Sequence, residues 1–477
     1  MLFTSIQFLI FFIITAIIFF GLPQKFKIIF LVAASYYFYY CCKAEYLLLL
    51  IGLTAFNYCV GLTINKIQRQ KTKKLYFVLC IIINILPLLF YKYLNFFSSS
   101  ANDVLAAFKI LGDLPHVDVI LPVGISFFTF IGLGYIIDVY CNFRGPEKNI
   151  FRFSAYMAFF PQLLSGPIAR STIQLPQFCN NISFSYTNAT NGMKLFLWGC
   201  FQKTVVADNI TAYVDSIYNN VQMHSASSMV IASYFFALQL YCDFAGYSNM
   251  AIGAAKFLGF DLIENFNKPY FATSVTDYWK RNHISLTTWL RDYIFYPLMG
   301  TGFTKTKIAF CTIVMFLISG LWHGANWTFV IWGLIQGIFL VYDQWTVGLN
   351  KKITRLAKKY HLWNARQRLK VLVTFNLLSF GVIFFRANSL SDAFVIVKNI
   401  FSTPWKAPFI GDTTSTVYGV FGIIVVLLFE FFQKDLSIVD YINKHGVLWR
   451  WGFYFFCLFS IILLGALDGA SFIYFQF

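Results

Sequence analysis

The stretch LISGLWHGANWTFVIWG, residues 317–333, decides how this chain is read. It holds a single ionisable side chain, His323, among aromatic and aliphatic residues. Beyond Ser319, Gly320, Gly324 and Asn326 the apolar pattern continues on both sides, over 308–320 and 327–343. This is the pattern of two membrane helices joined by a soft break of small residues, with an imidazole at the break. A polar group buried without a partner costs roughly 1–3 kcal/mol. An ionisable residue in such a place is therefore a functional-site candidate by default, against the plainer reading of a core histidine tied to a backbone carbonyl.

The rest of the chain supports the membrane reading. Of 477 residues, 58% are hydrophobic and only 12% charged, with mean hydropathy +0.65; a soluble domain carries about 25% charged residues. So few charges cannot cover a water-soluble body of this size. A bilayer core takes about 20 helical residues. Apolar runs of that order lie near 1–20, 28–41, 44–61, 75–93, 308–320, 327–343, 371–385, 414–431 and 451–468, and shorter or interrupted ones near 121–139, 152–168, 191–212 and 228–260. The expected fold class is all-α: a polytopic integral membrane protein with about eleven transmembrane helices plus re-entrant and interfacial ones. The N-terminal run lacks a basic leader and a small-residue cleavage site, and reads as a retained first helix.

The net charge of +17 is concentrated in two short loops. One carries Lys66, Arg69, Lys71, Lys73 and Lys74; the other carries Lys351, Lys352, Arg355, Lys358, Lys359, Arg366, Arg368 and Lys370. The positive-inside rule puts both on the cytoplasmic face, and counting back puts the N-terminus outside. Asp103, Asp113 and Asp118 outnumber Lys109 in 94–119, which the same count places outside. Membrane lipids are the expected neighbours of the basic loops. Nucleic acid is not, because no soluble domain presents the charge. The ten cysteines fall mostly inside apolar runs without CxxC spacing, as small buried hydrophobes do.

Along the chain, residues 1–115 form peripheral helices, 120–335 a centre dense in Gly, Pro and isolated charges, and 371–477 C-terminal helices, all within one membrane-embedded domain. Pro122, Gly124, Gly132 and Gly134 interrupt 121–140, and Pro161, Gly166 and Pro167 interrupt 159–170. Such segments read as re-entrant or broken helices. The block DYWKRNHISLTTWLRDYIFYPL, 277–298, has too many charges to span. Leu286, Trp289, Leu290, Tyr293 and Pro297 form an apolar stripe, so the block reads as an amphipathic helix at the cytoplasmic interface.

For chemistry, His116, His224, His361 and His445 lie in polar loops or near helix ends and read as solvated. His323 is the candidate general base, with Trp322 and Trp327 as apolar walls that hold the imidazole neutral. His283, within KRNHISLTTW, is either a second site residue or an interfacial one. No Asp or Glu stands at ligand spacing to either histidine, so no metal site is expected. Nor is there a G-x-S-x-G elbow. Direct transfer from a bound donor to a hydroxyl acceptor, with His323 as base, fits these residues better than a covalent intermediate.

The same blocks resemble the membrane-bound O-acyltransferase family, in the branch of bacterial alginate and peptidoglycan O-acetylation and, more distantly, of teichoic-acid D-alanine transfer. The resemblance runs through LPVGISFFTF (121–130), DVY (138–140), FFPQLLSGPIAR (159–170), YCDFAGYS (241–248), NFNKPY (265–270), DYWKRNHISLTTWLRDYIFYPLMG (277–300), SGLWHGANWTFVIWG (319–333), VIFFRA (382–387) and FIYFQF (472–477). It implies helices around a central funnel, with the family's catalytic histidine on His323 and its second histidine on His283. Asn326 and Asp243 fall on polar motif positions that would orient groups in the tunnel, beside Ser319. The donor implied is acetyl-CoA or another acyl thioester, with no tightly bound cofactor. Lys280, Arg281 and Arg291 either hold its phosphates or contact lipid headgroups. The resemblance also implies the bacterial inner membrane, a periplasmic SGNH-type acetyltransferase partner and an envelope polysaccharide as final acceptor. A transporter of acyl or lipid-linked substrates and a non-catalytic scaffold are the rival readings.

Overall fold

The computed structural model describes residues 1–110, 114–466 and 473. Asp113 and, apart from Ile473, the terminal block 472–477 lie outside them. Among the described residues regular structure is helical. Among the described residues, seven helices are long and apolar enough to cross a membrane: Ala44–Ile64, Gln70–Ala107, Ala226–Phe257, Lys305–His323, Trp363–Arg386, Thr413–Gln433 and Val447–Leu464. The chain is thus an all-α multi-pass membrane protein. The expected count of about eleven is not reached on this criterion, partly because apolar helices such as Ile6–Gly21 are short. At 16 residues that helix extends roughly 24 Å, against a hydrocarbon core of about 30 Å.

The chain packs as two compact units, Met1–Met193 with Ala251–Ile263, and Lys194–Met250 with Glu264–Phe477. In the first, helices Leu47–Ile64 and Gln70–Leu88 are tied by a buried amide pair. Asn57 Nδ2 donates to Asn84 Oδ1 at 2.8 Å, the polar tie that membrane helices use in place of a hydrophobic driving force. Helix Ile125–Tyr140 is continuous, contrary to the expected break. Pro122 and Gly124 precede its first turn, Gly124 at φ +77°. Gly132 instead admits Asn57, whose Nδ2 would lie 2.8 Å from any Cβ added there. The segment 159–170 does break: helix Ile150–Ala158 gives way to one turn, Phe160–Leu163, and then to irregular chain around Gly166 and Pro167.

In the second unit the stretch 317–333 forms the expected hairpin of helices Lys305–His323 and Trp327–Trp345. Its two backbones meet. A Cβ on Gly320 would stand 2.3 Å from the Phe329 carbonyl oxygen, and one on Gly333 2.3 Å from that of Phe316. Gly199 and Gly246 permit a second close crossing, each leaving room for the other's carbonyl oxygen. The amphipathic block divides into helices Val275–Arg281 and Ile284–Leu290 and a π-helical turn, Arg291–Phe295. Leu286, Trp289 and Leu290 are buried as the stripe predicts, whereas Tyr293 is half-buried and Pro297 exposed. The cysteines divide: Cys80, Cys242, Cys311 and Cys457 are buried, but Cys41, Cys59, Cys141 and Cys179 are exposed.

Candidate active site

His323 is the last residue of its helix. Gly324 leaves helical geometry in an extended conformation, and Asn326 starts the next helix by accepting a hydrogen bond from the Thr328 backbone N–H at 3.0 Å. Two caps two residues apart, Gly324 and Asn326, thus hold the imidazole at the turn of the hairpin. It is 3% exposed. Its ring lies 4.9 Å from Trp322, 5.0 Å from Trp332 and 5.3 Å from Phe385, centroid to centroid. Trp327, expected as a wall, is 50% exposed. It occupies the first position of the helix, and Trp332, on the buried face further along, takes that place.

His283 sits at the break between the two short helices, with φ +46°. A non-glycine residue there is uncommon and strained, and the conformation is held by Asn265. The Asn265 carbonyl accepts from the Ile284 N–H at 2.9 Å. Its side-chain Oδ1 accepts from the Ser285 backbone N–H at 3.2 Å and from the Ser285 hydroxyl at 2.9 Å, while its Nδ2 donates to Ser248 Oγ at 3.1 Å. Because a backbone N–H can only donate, the atom facing it must be oxygen, and this settles the amide's orientation. His283 Nδ1 lies 3.3 Å from that same oxygen. It therefore carries the proton, leaving Nε2 as the lone-pair nitrogen of a neutral ring. His283 is 2% exposed, and burial pushes its imidazole down to about 3, so the neutral form prevails at physiological pH.

The interfacial reading of His283 is thereby replaced by a buried one. The two histidine rings are 6.2 Å apart, centroid to centroid. Both border one cavity, together with Tyr241, Tyr278, Trp279 and Trp332. It has about 30 Å³ of open space, above the roughly 10–15 Å³ one water needs. Trp279 Nε1 donates to Gln336 Oε1 at 3.3 Å, and the Tyr241 hydroxyl donates to buried Glu430. His283 Nε2 and Trp332 Nε1 are buried and without a hydrogen-bond partner among the described residues.

The other candidates are distributed differently. Ser319 is buried one turn before His323 on the same helix, and Asn326 acts as the cap already described. Asp243 belongs to an ionic cluster: Lys203 Nζ is 2.6 Å from Asp243 and 2.7 Å from Asp208, and Asp243 also accepts from the Ile473 N–H at 2.9 Å. Lys280 is exposed, Arg281 pairs with Asp277 at 2.8 Å, and Arg291 pairs with Asp292 at 2.8 Å. Sequence reasoning did not single out Asn265, Trp332, Phe385, Gln336 or the Tyr241–Glu430 pair. The first three lie in blocks quoted for other reasons, so the available signal was their membership of those blocks.

Comparison with known proteins gives a consistent result. Residues 146–384 match the family model described as MBOAT, the membrane-bound O-acyltransferase family. A probable alginate O-acetylase, AlgI, of Pseudomonas aeruginosa is 35% identical over 366 residues, covering 76% of this chain and 67% of that protein. The peptidoglycan O-acetyltransferase of Helicobacter pylori is 34% identical over 382 residues, with 75% and 70% covered. A teichoic acid D-alanyltransferase of Bacillus subtilis is more distant, 27% identical over 285 residues, with 57% and 70% covered. Asp243, Asn265, His283 and His323 all lie inside the matched segment.

Proposed function

This chain belongs to the membrane-bound O-acyltransferase family, and on that premise we propose that it moves an acetyl group from a cytoplasmic thioester, acetyl-CoA or a similar donor, toward hydroxyls of a cell-envelope polysaccharide. The observation that carries the reading is the meeting of two buried histidines on one cavity, one of them held in a defined tautomer. His323 is the general base. The acceptor hydroxyl oxygen attacks the thioester carbonyl carbon, its proton passes to the imidazole, the C–S bond breaks, and the proton leaves on the thiol. His283 orients the acceptor by accepting at Nε2 from a neighbouring hydroxyl that keeps its proton, and the Trp332 indole N–H supports the developing oxyanion. A non-reacting hydroxyl of the acceptor and the reacting carbonyl would satisfy these two unpartnered atoms. Asn265 is a positioning residue that acts through His283.

The acetylases among the relatives supply the acceptor class, and the charge pattern supplies the sidedness: an inner-membrane protein with a periplasmic N-terminus, handing the acetyl group to a periplasmic SGNH-type acetyltransferase. Lys280, Arg281 and Arg291 are the cations assigned to the donor's phosphates at the cytoplasmic mouth. Purified wild-type protein in proteoliposomes should release thiol from acetyl-CoA in the presence of acceptor, and His323→Ala at equal abundance should not. Retained acetylation of envelope glycans in cells carrying His323→Ala would leave the chain a scaffold.

A further inference from the structure

A second cavity lies away from the histidines. Helices Trp327–Trp345, Val347–Lys359 and Trp363–Arg386 enclose a groove of about 1120 Å³, larger than the roughly 300–1,000 Å³ of ordinary small-molecule clefts. Tyr342, Leu349, Ile353, Leu356, Leu369 and Val373 line it and are all exposed. Neither histidine touches it. Its polar side is cationic. Arg366 and Lys370 border the groove, and the only carboxylate among its lining residues, Asp343, already accepts from the Thr276 N–H at 3.0 Å. Arg366 directs Nη2 to Asn350, at 3.2 Å to the backbone oxygen and 3.3 Å to Oδ1, while its Nη1 is buried with no hydrogen-bond partner among the described residues. These groups sit in the basic segment that the charge rule places on the cytoplasmic face.

We propose that this groove binds an anionic phospholipid of the cytoplasmic leaflet, its acyl chains along the apolar wall and its phosphate on Arg366 and Lys370. The length of the apolar wall favours a lipid over a soluble phosphate compound, whose polar body would leave that wall uncovered. Charge complementarity favours an anionic headgroup over a zwitterionic one. The site is independent of the acyl-transfer reading, because its occupancy requires neither histidine.

The test is native mass spectrometry of the full chain in mild detergent, equilibrated with phosphatidylglycerol and phosphatidylcholine in equal amounts. Wild type should retain phosphatidylglycerol in preference. Lys370→Gln, which leaves the Arg366–Asn350 bonds in place, should lower that preference about fivefold, the worth of one cation beside an anionic headgroup. Arg366→Gln should lower it at least as much. Lys351→Gln with Lys352→Gln, on the same segment but outside the groove lining, should leave it unchanged. Equal retention of the two lipids by wild type would overturn the proposal, as would an equal loss in the Lys351/Lys352 variant, which would reduce the effect to diffuse charge. Displacement of the lipid by free coenzyme A or inorganic phosphate would also overturn it in favour of a soluble ligand.

Discussion

Two buried polar clusters in the second unit answer the cost of burial in different ways. Around His283 the groups are neutral: an amide, two hydroxyls and an imidazole, joined through the Asn265 side-chain amide. Around Lys203 they are charged, one ammonium against two carboxylates at 2.6 and 2.7 Å. The ionic cluster closes on itself, and Asp243 spends its second oxygen on the Ile473 backbone. The neutral one leaves His283 Nε2 without a partner among the described residues. A buried ion pair is held by partners it cannot lose, which suits a structural tie. A neutral network with one open acceptor suits a group that must meet a substrate.

If this division is right, substitutions should separate the two clusters by what they damage. The largest effect is expected at the cavity itself: His323→Ala should lower acetyl transfer about 10²–10⁴-fold, the range for loss of a general base, with unaltered melting in detergent. Next, Lys203→Met should leave two buried carboxylates facing each other and destabilise the fold by about 3–5 kcal/mol, read as reduced membrane abundance and a lower melting temperature. Adding Asp208→Asn and Asp243→Asn should recover much of that loss. Comparable activity loss per folded molecule in the Lys203 variant would erase the distinction.

A smaller effect tests the tautomer. Asn265→Ala should lower kcat about 10-fold, less than the roughly 10²–10⁴-fold of a proton-transfer group itself because it acts through one, with KM nearly unchanged. Asn265→Asp keeps an oxygen acceptor toward His283 and should restore part of the rate while moving the acid limb of the pH profile upward, because a carboxylate stabilises imidazolium. A purely structural asparagine would shift melting and not the pH profile.

Linkage gives a further check. An ordinary histidine titrates near about 6.5, whereas burial holds His283 down to about 3. Between those values the unfolded chain takes up a proton that the folded chain refuses. The stability contributed by the neutral ring is thus fully present above the upper value and declines as pH falls toward the lower. Wild type should lose melting temperature over this interval more steeply than His283→Gln, and parallel curves would show that the ring is hydrated. The smallest effect belongs to Arg291→Gln: its guanidinium is about half exposed and already paired with Asp292, so KM for acetyl-CoA should rise only about two- to threefold, as for a surface charge contact.

Much of the candidate site was legible in the sequence. An imidazole in a lipid-compatible run is expensive enough to announce itself, and the small residues beside His323 mark a hairpin turn. His283 was visible only as a candidate, because the charges around it describe a wet surface while its own ring is turned into the core. The expected break in 121–140 failed for a similar reason. Glycine within an apolar helix can relieve a neighbour instead of ending the helix, and Gly132 does so for Asn57. Trp327 and Trp332 were equal as sequence, and helix phase put one of them outside and the other against His323.

By itself the amino-acid order determined the membrane class, the helical periodicity, the charge asymmetry and the family blocks, because each depends on residues close together in the chain. Only tertiary structure decided that Asn265 reaches His283, that the histidines at 283 and 323 share a cavity, and that Asp243 answers to Lys203. Those are encounters between distant segments. They are set by how closely backbones approach at Gly199, Gly246, Gly320 and Gly333, and no local pattern encodes which side chains such an approach brings into contact.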